Sequence, residues 1–258
     1  MTTTDVTVER HGTTAATVRL DRPANRNGIT NRMMVQLHDA LVDLAADPHL
    51  LVVVLTGAGR DFCVGADLKH YSAGEIDDPL PLSAFDLTRI LHEMPAVTVA
   101  AINGAAAGAG LGWAAACDLR FAARSAVFTT AFLKVAAAGD MGGPWTLSRL
   151  LGAAKARELY FLPERFDAAE AHRIGLVSAV FDDAAFGDEI AAIRDRLSAS
   201  APLALRGMKA NFLASERTTF ADYLDIESER HMRIMRSEDT REAFLAFVEK
   251  REARFTGR

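Results

Sequence analysis

The chain is poor in the residues that mark several large classes of protein. Only two cysteines, Cys63 and Cys117, occur in 258 residues. They lie far apart in apolar surroundings, so they read as buried, reduced thiols of a cytoplasmic protein rather than a disulfide framework. No uninterrupted apolar run reaches the roughly 18 residues a membrane span needs. The opening MTTTDVTVER lacks the basic and apolar regions of a signal peptide. The seven histidines show no HxxxH or HExxH spacing, so no metal site is expected. G-x-S-x-G elbow and P-loop signatures are missing too. Positive charge is not in excess. A formal net charge of −5 argues against nucleic acid as the main partner, although a local basic patch can still bind a phosphate group.

What is present points to a large α/β protein. Half of the residues are hydrophobic, enough for a sizeable core without disulfides. Val6–Val8 and Ala16–Leu20 read as an N-terminal strand pair. Asn31–Ala46 has the apolar spacing of a helix, with Met34, Leu37, Leu41 and Leu44 on one face. Leu50–Thr56 is an apolar run suited to a strand buried on both faces. Asp77–Leu82, with two prolines and two acids, reads as a surface loop, and Ser83–Glu93 as a helix. Strands at 97–102 and Asp118–Ala123 flank a glycine loop and a small-residue helix. No repeat of fixed period is evident. Beyond about residue 183 the pattern becomes helical, over Asp183–Ser198, Leu203–Ala214, Phe220–Arg233 and Asp239–Arg251. These helices need a core or a second subunit to cover their apolar faces.

Three segments carry candidate chemistry. The first is Val97–Cys117, VTVAAINGAAAGAGLGWAAAC. A loop of alanine and glycine lets a ligand approach the backbone. The first N–H groups of the following helix have no helical partner and can face an anion. A dinucleotide fingerprint would need glycine where Trp113 stands, so that reading is set aside. On the loop alone, anion binding and simple close packing stand level. The second segment, Leu55–Lys69, again runs from an apolar strand into small residues. Two such loops can aim two N–H groups at one oxygen, as an oxyanion hole does. Here Gly65 reads equally as an ordinary turn, and Asp67 reads as a helix cap in preference to a catalytic carboxylate. The third segment holds Asp140, the only carboxylate between Asp118 and Glu158. Apolar surroundings raise a carboxylate pKa toward the range useful for proton transfer. Spacing alone nonetheless favours Asp140 as the cap of a helix starting near Pro144. Lys250 and Arg251 read as a solvated helix end. Phe85, Trp113, Phe132, Met141 and Trp145 are candidate pocket walls, although core packing is the commoner use of such residues.

Taken in order, five motifs resemble the crotonase (enoyl-CoA hydratase/isomerase) superfamily. They are Asp21–Asn27 (DRPANRN), Phe62–Lys69 (FCVGADLK), Ala101–Gly110 (AINGAAAGAG), Ala171–Val177 (AHRIGLV) and Ala246–Arg251 (AFVEKR). The resemblance spans nearly the whole chain. It implies a spiral of ββα units over residues 1–182, holding the CoA and active sites. It also implies a helical region over 183–258 that forms a homotrimer or a dimer of trimers. An acyl-CoA thioester is the implied ligand, with coenzyme A entering as part of the substrate and no separate cofactor. By position, Ala66 and Ala109 supply the oxyanion-hole N–H groups. Ala24, Ala66, Asp67, Leu68 and Lys69 hold the adenine and pantetheine portions, and Lys250 reaches a CoA phosphate, on a neighbouring subunit in one arrangement.

The resemblance also carries a departure. The two glutamates of the family's hydratases fall on Gly112 and Phe132, and neither residue can move a proton. Asp140 falls where isomerase members carry an acid/base aspartate, and Phe128–Arg149 looks most like the ring-epoxyphenylacetyl-CoA isomerase branch. The same aspartate is a nucleophile in 4-chlorobenzoyl-CoA dehalogenases, but their histidine and tryptophan fall on Phe85 and Phe132. The leading expectation is therefore a double-bond shift in an enoyl-CoA, with Asp140 as proton shuttle. The alternatives are a hydratase or other CoA lyase lacking the glutamate pair, and a non-catalytic acyl-CoA-binding protein.

Overall fold

A computed structural model describes residues 4–74 and 80–258. The strands are β1 (Val6–His11), β2 (Ala15–Leu20), β3 (Val52–Gly57), β4 (Val97–Ile102), β5 (Ala106–Ala107), β6 (Leu119–Ala123), β7 (Val127–Thr129), β8 (Phe166–Asp167) and β9 (Ala179–Phe181). The helices of the first half are α1 (Asn31–Ala45), α2 (Leu68–Ser72), α3 (Leu87–Glu93) and α4 (Ala109–Ala116). Next come α5 (Gly143–Leu151), α6 (Ala153–Phe161) and α7 (Ala168–Arg173). The chain then runs through α8 (Phe186–Ser198), α9 (Pro202–Ser215), α10 (Phe220–Ile234) and α11 (Glu238–Glu249).

The main sheet has the order β1-β2-β3-β4-β6-β9. β1 pairs antiparallel with β2, and every later pair is parallel. All residues of β3 and β4 are buried, as continuous apolar strands covered on both faces should be. On one face lie α1, α3 and α4, whose Met33, Leu37, Leu41, Leu91 and Trp113 share a core with Val18, Val53 and Leu55. On the other face α8 sets Phe186 and Ile190 against Val52, Val54 and Val99. Each fully buried side chain of this kind contributes about 1.5–3 kcal/mol.

A second, shorter column of backbone pairs runs beside the main sheet. Ile29 bridges Ala66, Cys63 bridges Ala106, and β5 continues through β7 to β8. Each turn of the chain therefore supplies a long strand, a short extended piece and, in most turns, a helix. This is the ββα spiral. Its turns begin at Ala15, Val52, Val97 and Leu119, at unequal intervals, so the repeat has no fixed period in the sequence.

Local signals explain most element boundaries. Thr30 caps α1, its hydroxyl accepting from Met33 N at 3.2 Å. The helix expected over Ser83–Glu93 instead opens with a 3₁₀ turn, Leu82–Asp86, before α3. The expected loop Asp77–Leu82 lies in part outside the described residues, which resume at Leu80.

Candidate active site

Two backbone loops meet under the first turn of α4. Cys63 N donates to Ala105 O and Ala107 N donates to Cys63 O, both at 2.9 Å. On the other edge, Ile29 N donates to Gly65 O at 2.8 Å and Asp67 N to Ile29 O at 3.0 Å. The segment after β3 is thus stitched on both sides. Gly65, at φ 83°, turns the chain where a Cβ would stand 3.0 Å from Ala107 O. Gly108 N donates to Thr129 O at 3.1 Å and opens α4. Gly110 seats the helix on Cys63, leaving no room for a side chain. The close-packing reading of the glycine loop therefore holds at Gly110, beside the Ala109 amide.

The amides of Ala66 and Ala109 are left over from this stitching. Among the described residues neither N–H has an acceptor within the chain. Both residues line one cavity of about 320 Å³, together with Leu68, Met34, Phe85, Phe132, Met141 and Asp140. Asp140 is the only carboxylate among the described residues lining it. Its Oδ1 is buried without a hydrogen-bond partner. Burial raises the carboxyl above the ordinary carboxylate range. The cap reading of Asp140 is corrected here. Gly142 occupies the N-cap of α5, and no side chain caps that helix. Among the described residues the Asp140 side chain makes no hydrogen bond or ion pair, whereas its backbone carbonyl accepts from Gly143 N at 3.2 Å.

The two positions expected for hydratase glutamates are closed to carboxylates in different ways. A Cβ on Gly112 would stand 2.7 Å from Met141 Cβ, so Met141 fills the space a side chain would take. Phe132 lines the cavity and stacks on Tyr160, with ring centroids 5.9 Å apart. The Cys63 thiol is fully buried and pushed up to about 12 by burial, which holds it as an inert thiol.

The other expected residues divide. Asp67 is the cap of α2, accepting from His70 N at 3.2 Å, and its other oxygen lies 3.1 Å from the Arg22 guanidinium. Arg22 directly precedes the exposed 3₁₀ turn Pro23–Asn25, so its ion pair with Asp67 ties the turn that holds Ala24 to the 66–69 segment. Lys69 is exposed there and Leu68 reaches the cavity wall. Lys250 is not among the residues that line the cavity; it is exposed, as the left-handed C-cap of α11. Of the candidate walls, Phe85, Phe132 and Met141 line the cavity. Trp113 is fully buried in the core, and Trp145 faces a different apolar cleft of about 450 Å³, with the Arg149 guanidinium 3.6 Å over its ring. The sequence reading missed Tyr160, whose local setting in α6 carries no signal of its contact with the Asp140 loop.

A spiral of ββα units thus brings together, at one cavity, two amides without an acceptor among the described residues and one half-buried carboxylate. The model of the enoyl-CoA hydratase/isomerase family matches residues 10–258. The 1,2-epoxyphenylacetyl-CoA isomerase of Escherichia coli (strain K12) is 34% identical over 248 residues, covering 94% of this chain and 95% of the relative. The peroxisomal Delta(3,5)-Delta(2,4)-dienoyl-CoA isomerase of Arabidopsis thaliana is 30% identical over 251 residues, covering 92% and 90%. The crystal structure of enoyl-CoA hydratase from Bacillus anthracis superposes with a TM-score of 0.91 at 27% identity, covering 99% of this chain and all of that one. The chain belongs to the enoyl-CoA hydratase/isomerase family and has the crotonase fold.

Proposed function

We propose that this enzyme shifts a carbon–carbon double bond of an enoyl-CoA thioester, with Asp140 carrying the proton. The observation that carries the reading is the shared cavity: two unengaged amides and one carboxylate with an unpartnered oxygen, and no second carboxylate among the described residues that line it. The Asp140 carboxylate takes a proton from the carbon α to the thioester of a 3-enoyl-CoA. The electron pair moves to the carbonyl oxygen, giving a dienolate held by the Ala66 and Ala109 N–H groups. Asp140 then returns the proton to the γ carbon, and the 2-enoyl-CoA leaves with no gain or loss of atoms. One oxyanion donor is typically worth about 2.7–4 kcal/mol of transition-state stabilisation. A positioned base adds about 10²–10⁴-fold. Desolvation suits Asp140 to both halves of the cycle, since a carboxyl of raised pKa is a stronger base and still returns the proton. Hydration needs a second group to activate and orient water, and Gly112 and Phe132 supply none.

In this reading the adenine and pantetheine of CoA lie along Ala24 and the Ala66–Lys69 segment. Because Lys250 does not line this cavity, its proposed CoA phosphate belongs to a thioester on a neighbouring subunit. Exposed Phe212 on α9, Phe220 on α10, and Phe244, Phe247 and Val248 on α11 support self-association. Conversion of 3-hexenoyl-CoA to 2-hexenoyl-CoA tests the reaction. Asp140→Asn is expected to abolish it while leaving the fold intact, and full activity in that variant rejects the assignment.

A further inference from the structure

Asp140 sits in a loop whose shape is held from outside. Gly139, Met141 and Gly142 all lie in the left-handed region, at φ 105°, 50° and 65°. Backbone of this kind persists only where its surroundings over-determine it. Tyr160, on α6, is the main surrounding group. A Cβ built on Gly139 would stand 3.1 Å from Tyr160 Cε1, and one on Gly143 would stand 1.9 Å from the Tyr160 hydroxyl oxygen. The residues one before and three after Asp140 therefore rest on the same aromatic ring. Phe132 clamps the ring from the cavity side, its plane within 8° of parallel.

We propose that Tyr160 is the positioning residue for Asp140: its ring is the post around which residues 139–143 are wound, and it fixes both where the carboxylate points and how dry its surroundings are. The inference rests on Asp140 being the proton shuttle. Burial and the Asp140 charge both push the Tyr160 hydroxyl up, and Cys63 is raised as well. These two groups stay in their neutral forms, and Asp140 is the only carboxylate among the described residues lining the cavity, so the acid limb of the kcat profile is assigned to Asp140.

The test uses 3-hexenoyl-CoA isomerisation by the full chain. Tyr160→Leu removes the flat ring. It is expected to lower kcat by about 100-fold, the scale of a 1 Å misplacement, with little change in KM. The acid limb is expected to move to lower pH as water reaches the carboxylate. A purely structural loss would lower the yield of active enzyme and leave the limb in place. Tyr160→Phe keeps the ring and most of the activity. Gly143→Ala drives a methyl into the hydroxyl and is expected to lower kcat. In a Tyr160→Phe background the nearest remaining ring atom is Cζ, 3.2 Å from that methyl, so the double variant recovers activity. Wild-type kcat in Tyr160→Leu, an unmoved acid limb, or no rescue of Gly143→Ala overturns the proposal. Asp140→Asn run in parallel separates the two claims. Activity in that variant rejects the shuttle itself, whereas an inactive Asp140→Asn beside a wild-type Tyr160→Leu rejects only the positioning role.

Discussion

Replacing Ala109 by proline removes one oxyanion donor and little else. Ala109 is the first residue of α4, where proline is well tolerated because the N–H there has no helical partner. Its fixed φ suits a helix start. The preceding Gly108 has φ 52° and ψ −125°, outside the right-handed helical region that a following proline disfavours. The Ala109 amide has no acceptor in the chain among the described residues, so the fold loses no hydrogen bond. The thermal midpoint should therefore stay close to that of the parent. The cost falls on the transition state, where one of two donors to the dienolate oxygen is lost. Removing such a donor costs about 2.7–4 kcal/mol, or a 10²–10³-fold fall in kcat. Steady-state isomerisation of 3-hexenoyl-CoA, with melting followed by circular dichroism, measures both. A fall of less than tenfold in a fully folded Ala109→Pro protein would refute the oxyanion assignment.

Two further predictions concern stability. The raised Asp140 pKa means that the native state holds this proton more tightly than the unfolded chain does. Its stabilising contribution is complete below the unfolded carboxylate value of about 3.9 and is lost as pH rises through the raised folded value. Asp140→Asn should therefore melt above the parent at pH 7, with the difference closing as pH falls toward 4; an equal melting point at both pH values contradicts this. Gly112→Ala gains about 0.8–1 kcal/mol of helix propensity, but its methyl meets Met141 Cβ at 2.7 Å. Overpacking costs about 1–3 kcal/mol, so a net loss of up to about 2 kcal/mol is expected in urea unfolding, and Met141→Gly in the same chain should recover part of it. A stabilised Gly112→Ala would show that Met141 does not close this position.

Much of the fold was legible because its longer elements carry strong periodic signals. The runs in β3 and β4, the stripe of Met34, Leu37, Leu41 and Leu44 on α1, and the C-terminal helices all stand close to their expected places. The second column of the spiral was not legible. Its members are two or three residues long, too short for alternation to register, and unequal spacing hides the repeat. At the site, Asp140 shows the limit of local reading. Its apolar surroundings offer a proton-transfer role, but its spacing from Pro144 favours a cap, and it is resemblance to isomerases that turns the reading toward acid/base chemistry. The unpartnered Oδ1 and the empty side-chain cap of α5 decide against the cap. Trp145 was misplaced because nothing in its neighbours says which side of α5 faces the cavity. Tyr160 was missed because its contact is with a loop some twenty residues earlier.

The most direct test of the central claim follows isotopes through the reaction. The enzyme is incubated with 3-hexenoyl-CoA in a mixture of D₂O and H₂¹⁸O, and the products are read by mass spectrometry and NMR. Proton shuttling by Asp140 predicts deuterium at the α or γ carbon, no ¹⁸O in the acyl chain, and loss of the exchange in Asp140→Asn. A 3-hydroxyacyl-CoA carrying ¹⁸O, or exchange undiminished in Asp140→Asn, would contradict it.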